Sequence, residues 1–276
     1  MPETRIARAD LEPVLRAHHG NQDLEHSFVE ARDPRQLLSV LGRYIQFNSA
    51  FGAGVANLAG EIAARQELFR DPQEPVRLLS DRAAEVGADF FYAAIDEFDD
   101  RLTPWRDTHR TLAQATLKAA AIHLGFAPEY IDRVVVLGEA TRESLRRVWE
   151  GYGVGAKMDD RRLFRGMGFH TGSEVLADQE FTLIDRHLRS RRADMVRALE
   201  ATKIELQGQK HDAYYWIRIH TGVEAEHFDA ALAGANKALR YYAGSDDPAA
   251  VKGWILEGVA DFAQVQGTFM ASLAHA

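Results

Sequence analysis

Residues 213–238 read AYYWIRIHTGVEAEHFDAALAGANKA. Plotted at about 100° per residue, Ala213, Trp216, Ile217, Ala231, Ala235 and Ala238 fall on one side of a helix, while Arg218, Glu226 and Asp229 fall on the other. Three polar side chains interrupt the apolar stripe: His220, Glu224 and His227, at spacings of four and three and within a sector of roughly 60°. Two imidazoles and a carboxylate on a buried face are costly unless they pair with each other or hold a cation, so the position requires partners from other segments. The plainer alternative is a hydrogen-bonded core cluster.

The rest of the chain has the same period. Leu, Ala, Arg and Glu recur every three or four residues, and the only strand-like stretch, RVVVLG at 133–138, sits inside a longer helical pattern. The expected fold is therefore all-α, with helices at about 34–69, 75–100, 104–125, 128–150, 158–205, 210–243 and 247–273. Pro34, Pro75, Pro104, Pro128 and Pro248 suit the first turns of five of them. A single helical domain is expected, with residues 1–33 as an extension or short helices and 34–273 as the core.

Composition narrows the function. A net charge of −8 spread along the chain leaves no basic footprint for nucleic acid or an anionic membrane. No apolar run approaches the roughly 18 residues that span a bilayer, and the amino end has no signal-like apolar core, so a cytoplasmic location is expected. The absence of cysteine removes disulfides, thiolate ligands and cysteine nucleophiles.

Partners for the triplet are sought among other polar residues in apolar stripes. In DFFYAAIDEFDD, Glu97 shares a face with Phe90, Ala94 and Phe98, and in TPWRDTH, His109 shares one with Trp105, Leu112 and Thr116. In FRGMGFHTGSEVLADQEF, Glu174 falls with Met167, Phe181 and Leu188, and Glu180 with Leu176, Leu183 and Ile184. Glu174 is preferred narrowly, with Glu180 as its alternate. Three carboxylates and three histidines suit two iron or manganese ions, and match neither a closed structural zinc site nor an oxygen-only calcium site. Because imidazole must be neutral to coordinate, metal affinity is expected to fall below about pH 6.

This pattern resembles the heme-oxygenase-like diiron oxidases, which share a seven-helix fold with heme oxygenase and thiaminase II. HTGVEAEH matches their third element, as His220, Glu224 and His227; DEFDDRLTPWRDTH resembles the first, as Glu97 and His109 with Asp100 as alternate; and GSEVLADQEF resembles the lone-glutamate helix, as Glu174. The resemblance implies O2 activation at two Fe(II) ions and oxidation of a small organic substrate, an amino acid or amine, by desaturation, hydroxylation, N-oxygenation or C–C cleavage in a biosynthetic pathway. It is compatible with an external electron donor and with a homodimer. In GRYIQFNSAFGAG, Tyr44, Asn48 and Phe51 share a face, which makes Tyr44 and Asn48 candidate substrate contacts, with a core role as the alternative. Gly52 and Gly54 could admit a close helix or a ligand.

Three rivals share the helical fold. Thiaminase-like hydrolysis resembles cysteine-dependent catalysis, for which this chain has no residue. Heme binding would need an axial ligand such as His18, His19 or His26. A non-enzymatic interaction module would pair the acids and histidines with each other or with arginine.

Overall fold

The computed structural model describes residues 4–274, so the first three residues of the expected extension lie outside the described chain. Helix accounts for 71% of the described residues and strand for 4%. The amino-terminal region forms α1 (Arg8–His18) and α2 (Asn21–Glu30). It is part of the packed body: α1 lies on the last helix, and α2 lies on that helix and on the longest one.

The segment expected as one helix from 34 to 69 is two, α3 (Pro34–Asn48) and α4 (Phe51–Ala63). Neither Pro nor Gly marks the break. Instead Ser49 Oγ donates to the Gln46 carbonyl, the acceptor that the Ala50 amide would use in a continuing helix, and the Asn48 side chain donates to the Tyr44 carbonyl in the last turn. Next come α5 (Ala83–Phe98), α6 (His109–His123), a 3-10 turn at Pro128–Tyr130, α7 (Ile131–Val134) and α8 (Glu139–Gly151). The stretch 133–138 is not a strand but the end of α7 and a loop, and Pro75 and Pro104 lie in turns rather than in first helical turns.

The long central helix is α9 (Asp160–Arg191), capped by Asp159, whose side chain accepts from the Arg162 amide. It packs along α11 (Tyr215–Arg240) and α12 (Pro248–Leu273), while α4 and α5 pair and α5 also lies on α11. At the α9–α12 crossing the backbones nearly touch. A Cβ on Gly168 would lie 1.8 Å from the Ile255 carbonyl oxygen, and one on Gly258 1.9 Å from that of Arg165, so neither position admits a side chain.

Two expected helices change where α9 ends. After α10 (Ala193–Glu200) the chain forms an antiparallel hairpin, β1 (Lys203–Leu206) with β2 (Gln209–Asp212), in register Lys203 with Asp212. Gln207 and Gly208 turn it, both at positive φ (54° and 78°), as a two-residue hairpin with right-handed strand twist requires. Ile204 and His211 are its buried pair, and Lys118 of α6 donates to the Glu205 carbonyl. Among the described residues no helix is long and apolar enough to cross a membrane.

Candidate metal centre

The stripe on α11 faces inward as its period demands: Trp216, Ile217, Ala231, Ala235 and Ala238 are buried, and so are His220, Glu224 and His227. The structure brings two triads together around them. Glu97, His109 and His220 offer ligand atoms within 4.8 Å of one another, and Glu174, Glu224 and His227 do the same. Glu224 stands between the triads: Oε1 lies 3.5 Å from His220 Nε2 and Oε2 lies 3.3 Å from His227 Nδ1. A pocket of about 30 Å³ is lined by carboxylates and imidazoles of both triads.

Local structure explains the twelve-residue interval between Glu97 and His109. Glu97 occupies the last turn of α5 and His109 the first position of α6. The connecting loop closes on itself, with the Asp100 amide donating to the Asp107 carbonyl and the Leu102 amide to Asp100 Oδ1. Thr108 then caps α6 by accepting from the Thr111 amide. The hairpin supports this loop, since His211 Nδ1 lies 3.0 Å from Asp107 Oδ1. Gly52 on α4 leaves room for Glu97: an added Cβ would sit 3.1 Å from the Glu97 Cβ.

Each histidine has one nitrogen toward its triad, and His220 and His227 have the other hydrogen-bonded elsewhere. His220 Nδ1 donates to the Trp216 carbonyl at 2.6 Å, so Nε2 faces Glu224. His227 turns Nδ1 to Glu174 and Glu224 and Nε2 to Asp96, at 3.0 Å. His109 Nδ1 lies 3.3 Å from Glu97, and Nε2 lies 3.5 Å from Asp100. Carboxylate or carbonyl support behind an imidazole is the usual way a ligand's tautomer and ring plane are fixed. Asp96 is itself gripped by both nitrogens of an Arg101 fork, at 2.9 and 3.1 Å.

Electrostatics show what the donors do without a cation. Despite the cost of burial, Glu97 and Asp100 hold the His109 proton, raising its pKa to about 10. His227 is likewise driven far up, against burial, by Asp96, Glu174 and Glu224. Burial, reinforced by the charge on His109, pushes His220 well down. Glu224 is pushed up by burial and by the charge of Glu174, whereas Glu174 is held down, against burial, by its imidazole neighbours. Of those, His170 is itself moved toward the neutral form by burial, so the positive charge beside Glu174 is that of His227. Both triads could hold a metal ion, and the mixed nitrogen and oxygen donor set, without sulfur, fits iron or manganese.

Several candidates stand outside the triads. Glu180 joins neither triad; it lines the small pocket between them but accepts hydrogen bonds from Tyr44 and Gln266. Asp100 also joins neither, standing behind His109. Tyr44 is fully buried in the core and does not line the cavity beside the triads, whereas Asn48 does. Phe98 and Trp105, expected to face inward, are 52% and 54% exposed. His18 and His26 are exposed and His19 half-buried on α1, α2 and the turn between them.

Two supporting residues were not anticipated. Asp96 is one acid among several in DEFDD, and only tertiary placement selects it. His170 is buried with Nδ1 3.2 Å from both Glu174 Oε1 and Tyr152 Oη; its spacing of four from Glu174 on one helix face was the available signal. Compared with models of protein families and with curated proteins, the sequence matches none.

Proposed function

We propose that the two triads form a dinuclear iron centre at which O2 is used to oxidise a small organic substrate, as in the heme-oxygenase-like diiron oxidases whose ligand pattern the sequence resembles. The observation that carries this reading is Glu224, which directs one carboxylate oxygen to each triad and thereby links two three-residue groups into one site. In the first position Glu97, His109 and His220 would be ligands, in the second Glu174 and His227, with Glu224 shared. Two ferrous ions there would supply the electrons that reduce O2 and the oxidising power used on the substrate. Mn is compatible with the same donors.

The chain's own part is positional. Asp96, Asp100 and the Trp216 carbonyl keep the three imidazoles aimed inward. Phe181 stacks on His220 at 4.3 Å between ring centres and shields it from water. A cavity of about 200 Å³ bordered by Glu97, His109 and His220, with Ile45, Phe98 and Trp216 as apolar wall, gives a substrate access to one side of the centre.

Anaerobic titration with Fe(II) tests the proposal. Close to two ions per chain should bind, and O2 added afterwards should produce transient visible absorption that consumes the ferrous state. Trace iron only, with His220→Ala indistinguishable from the parent, would remove it.

A further inference from the structure

The cavity beside the triads is lined by an arginine that, among the described residues, has no ion-pair partner. Arg110, adjacent to His109 on α6, lines it together with Asn48, Ser49 and Thr108. Its guanidinium donates to the Gln46 side chain at 2.9 Å and to the Ile45 carbonyl at 3.4 Å. Of the five N–H donors an arginine carries, three therefore have no acceptor among the described residues. Among the described residues no carboxylate lies within ion-pair distance of it, whereas most of the other arginines on the described chain have an acidic partner or lie at the surface. A half-buried, uncompensated charge in a binding cavity is costly until a ligand supplies the opposite charge.

We infer that Arg110 anchors a carboxylate group of the substrate, placing the rest of the molecule across the cavity toward Glu97, His109 and His220. This rests on the oxidase reading only for the word substrate; the anion site itself follows from Arg110. The planar fork of the guanidinium can hold two oxygens of an anion. A carboxylate fits better than a phosphate because a single cation beside the acids of the triads neutralises a monoanion and leaves a dianion repelled by Glu97. The cavity, at about 200 Å³, is below the range typical of drug-sized ligands and calls for a small acid. Asn48, whose Nδ2 is committed to the Tyr44 carbonyl, presents its remaining amide oxygen as an acceptor for a second polar group on the same molecule.

The probes are straight-chain acids from butanoate to octanoate and their primary amides, titrated calorimetrically into the protein as purified and after anaerobic Fe(II) loading. The parent should bind at least one acid about tenfold or more tighter than its amide. R110Q should reduce that preference to about one, and R110K should keep the preference while weakening both the affinity and its selectivity for planar anions. If R110Q does not fold, the parent and R110K decide the matter on the same criterion. Absence of acid binding, a parent with no preference for the acid, or R110Q retaining the preference overturns the inference; the last outcome would place the carboxylate on the metal. Iron stoichiometry is read separately, so loss of the oxidase reading with the acid preference intact, or the reverse, is distinguishable.

Discussion

Glu174 and Glu180 lie six residues apart on α9, both are buried, and they carry the same functional group. Their surroundings separate them. Glu174 faces a protonated His227 and shares the triad with Glu224, and is held ionised against the cost of burial. Glu180 receives only the neutral donors of Tyr44 and Gln266, and burial raises it to about 7. The pair shows that burial alone does not decide a carboxylate's surroundings: only Glu174 meets positive charge and other donors, and apolar company in a helical projection does not distinguish the two cases.

The largest expected effect comes from exchanging their roles. Glu174→Ala should bind about one iron per chain and lose more than hundredfold in affinity for the second, while Glu180→Ala keeps both; metal analysis after anaerobic loading and desalting reads the difference, and equal loss from the two variants would erase the distinction. Next is pH. His109 keeps its proton up to about 10, and His227 is shifted in the same direction, so cations must displace protons. Metal affinity should then keep climbing between pH 7 and 9, by about tenfold or more per unit, with proton release seen in buffers of different ionisation enthalpy. A plateau above the ordinary imidazole range, as the sequence alone led one to expect near pH 6, would show that Glu97 and Asp100 do not hold that proton.

A third test concerns stability without metal. A carboxyl raised in the folded state contributes stability that is complete below its unfolded pKa, near 4.5, and is lost as pH rises through about 7. Glu180→Gln should therefore match the parent near pH 4.5 and exceed it by roughly 3 kcal/mol at pH 8, measured by chemical denaturation. The same pH slope in both proteins would assign the shift elsewhere. The smallest effect is expected from Asp96→Asn, which weakens the support of His227 and so the charge beside Glu174; about a tenfold loss of metal affinity, with folding retained, should follow. Unchanged affinity would mean that Arg101 and Asp96 serve only to close the surface.

How much of this was legible in the sequence depended on the range of the determining contacts. The α11 stripe was, because a helix that buries one face repeats its own period, and every stripe residue named from it is buried. The inward direction of Glu97, His109 and Glu174 followed from the same reasoning. The hairpin at 203–212 was not: four-residue strands alternate too briefly to outweigh helix-favouring Lys, Glu, Leu and Gln, and its Gln-Gly turn lacks the stronger Asn-Gly signal. The break at 49–50 escaped because Asn48 and Ser49 act through hydrogen bonds rather than through a Pro or Gly. Asp96 and His170 depend on which helix lies opposite, and a periodic pattern contains no information about its neighbour.

The glycine contacts at the crossing of α9 and α12 set a mechanical limit on all of this. Glu174 lies six residues beyond Gly168, about 9 Å along the helix axis. With two carbonyl oxygens lodged against bare α-carbons, a side chain at either glycine would drive the long helix away from its neighbour. The close seating of the helix that carries Glu174 thus depends on two positions where sequence drift is closed even to alanine.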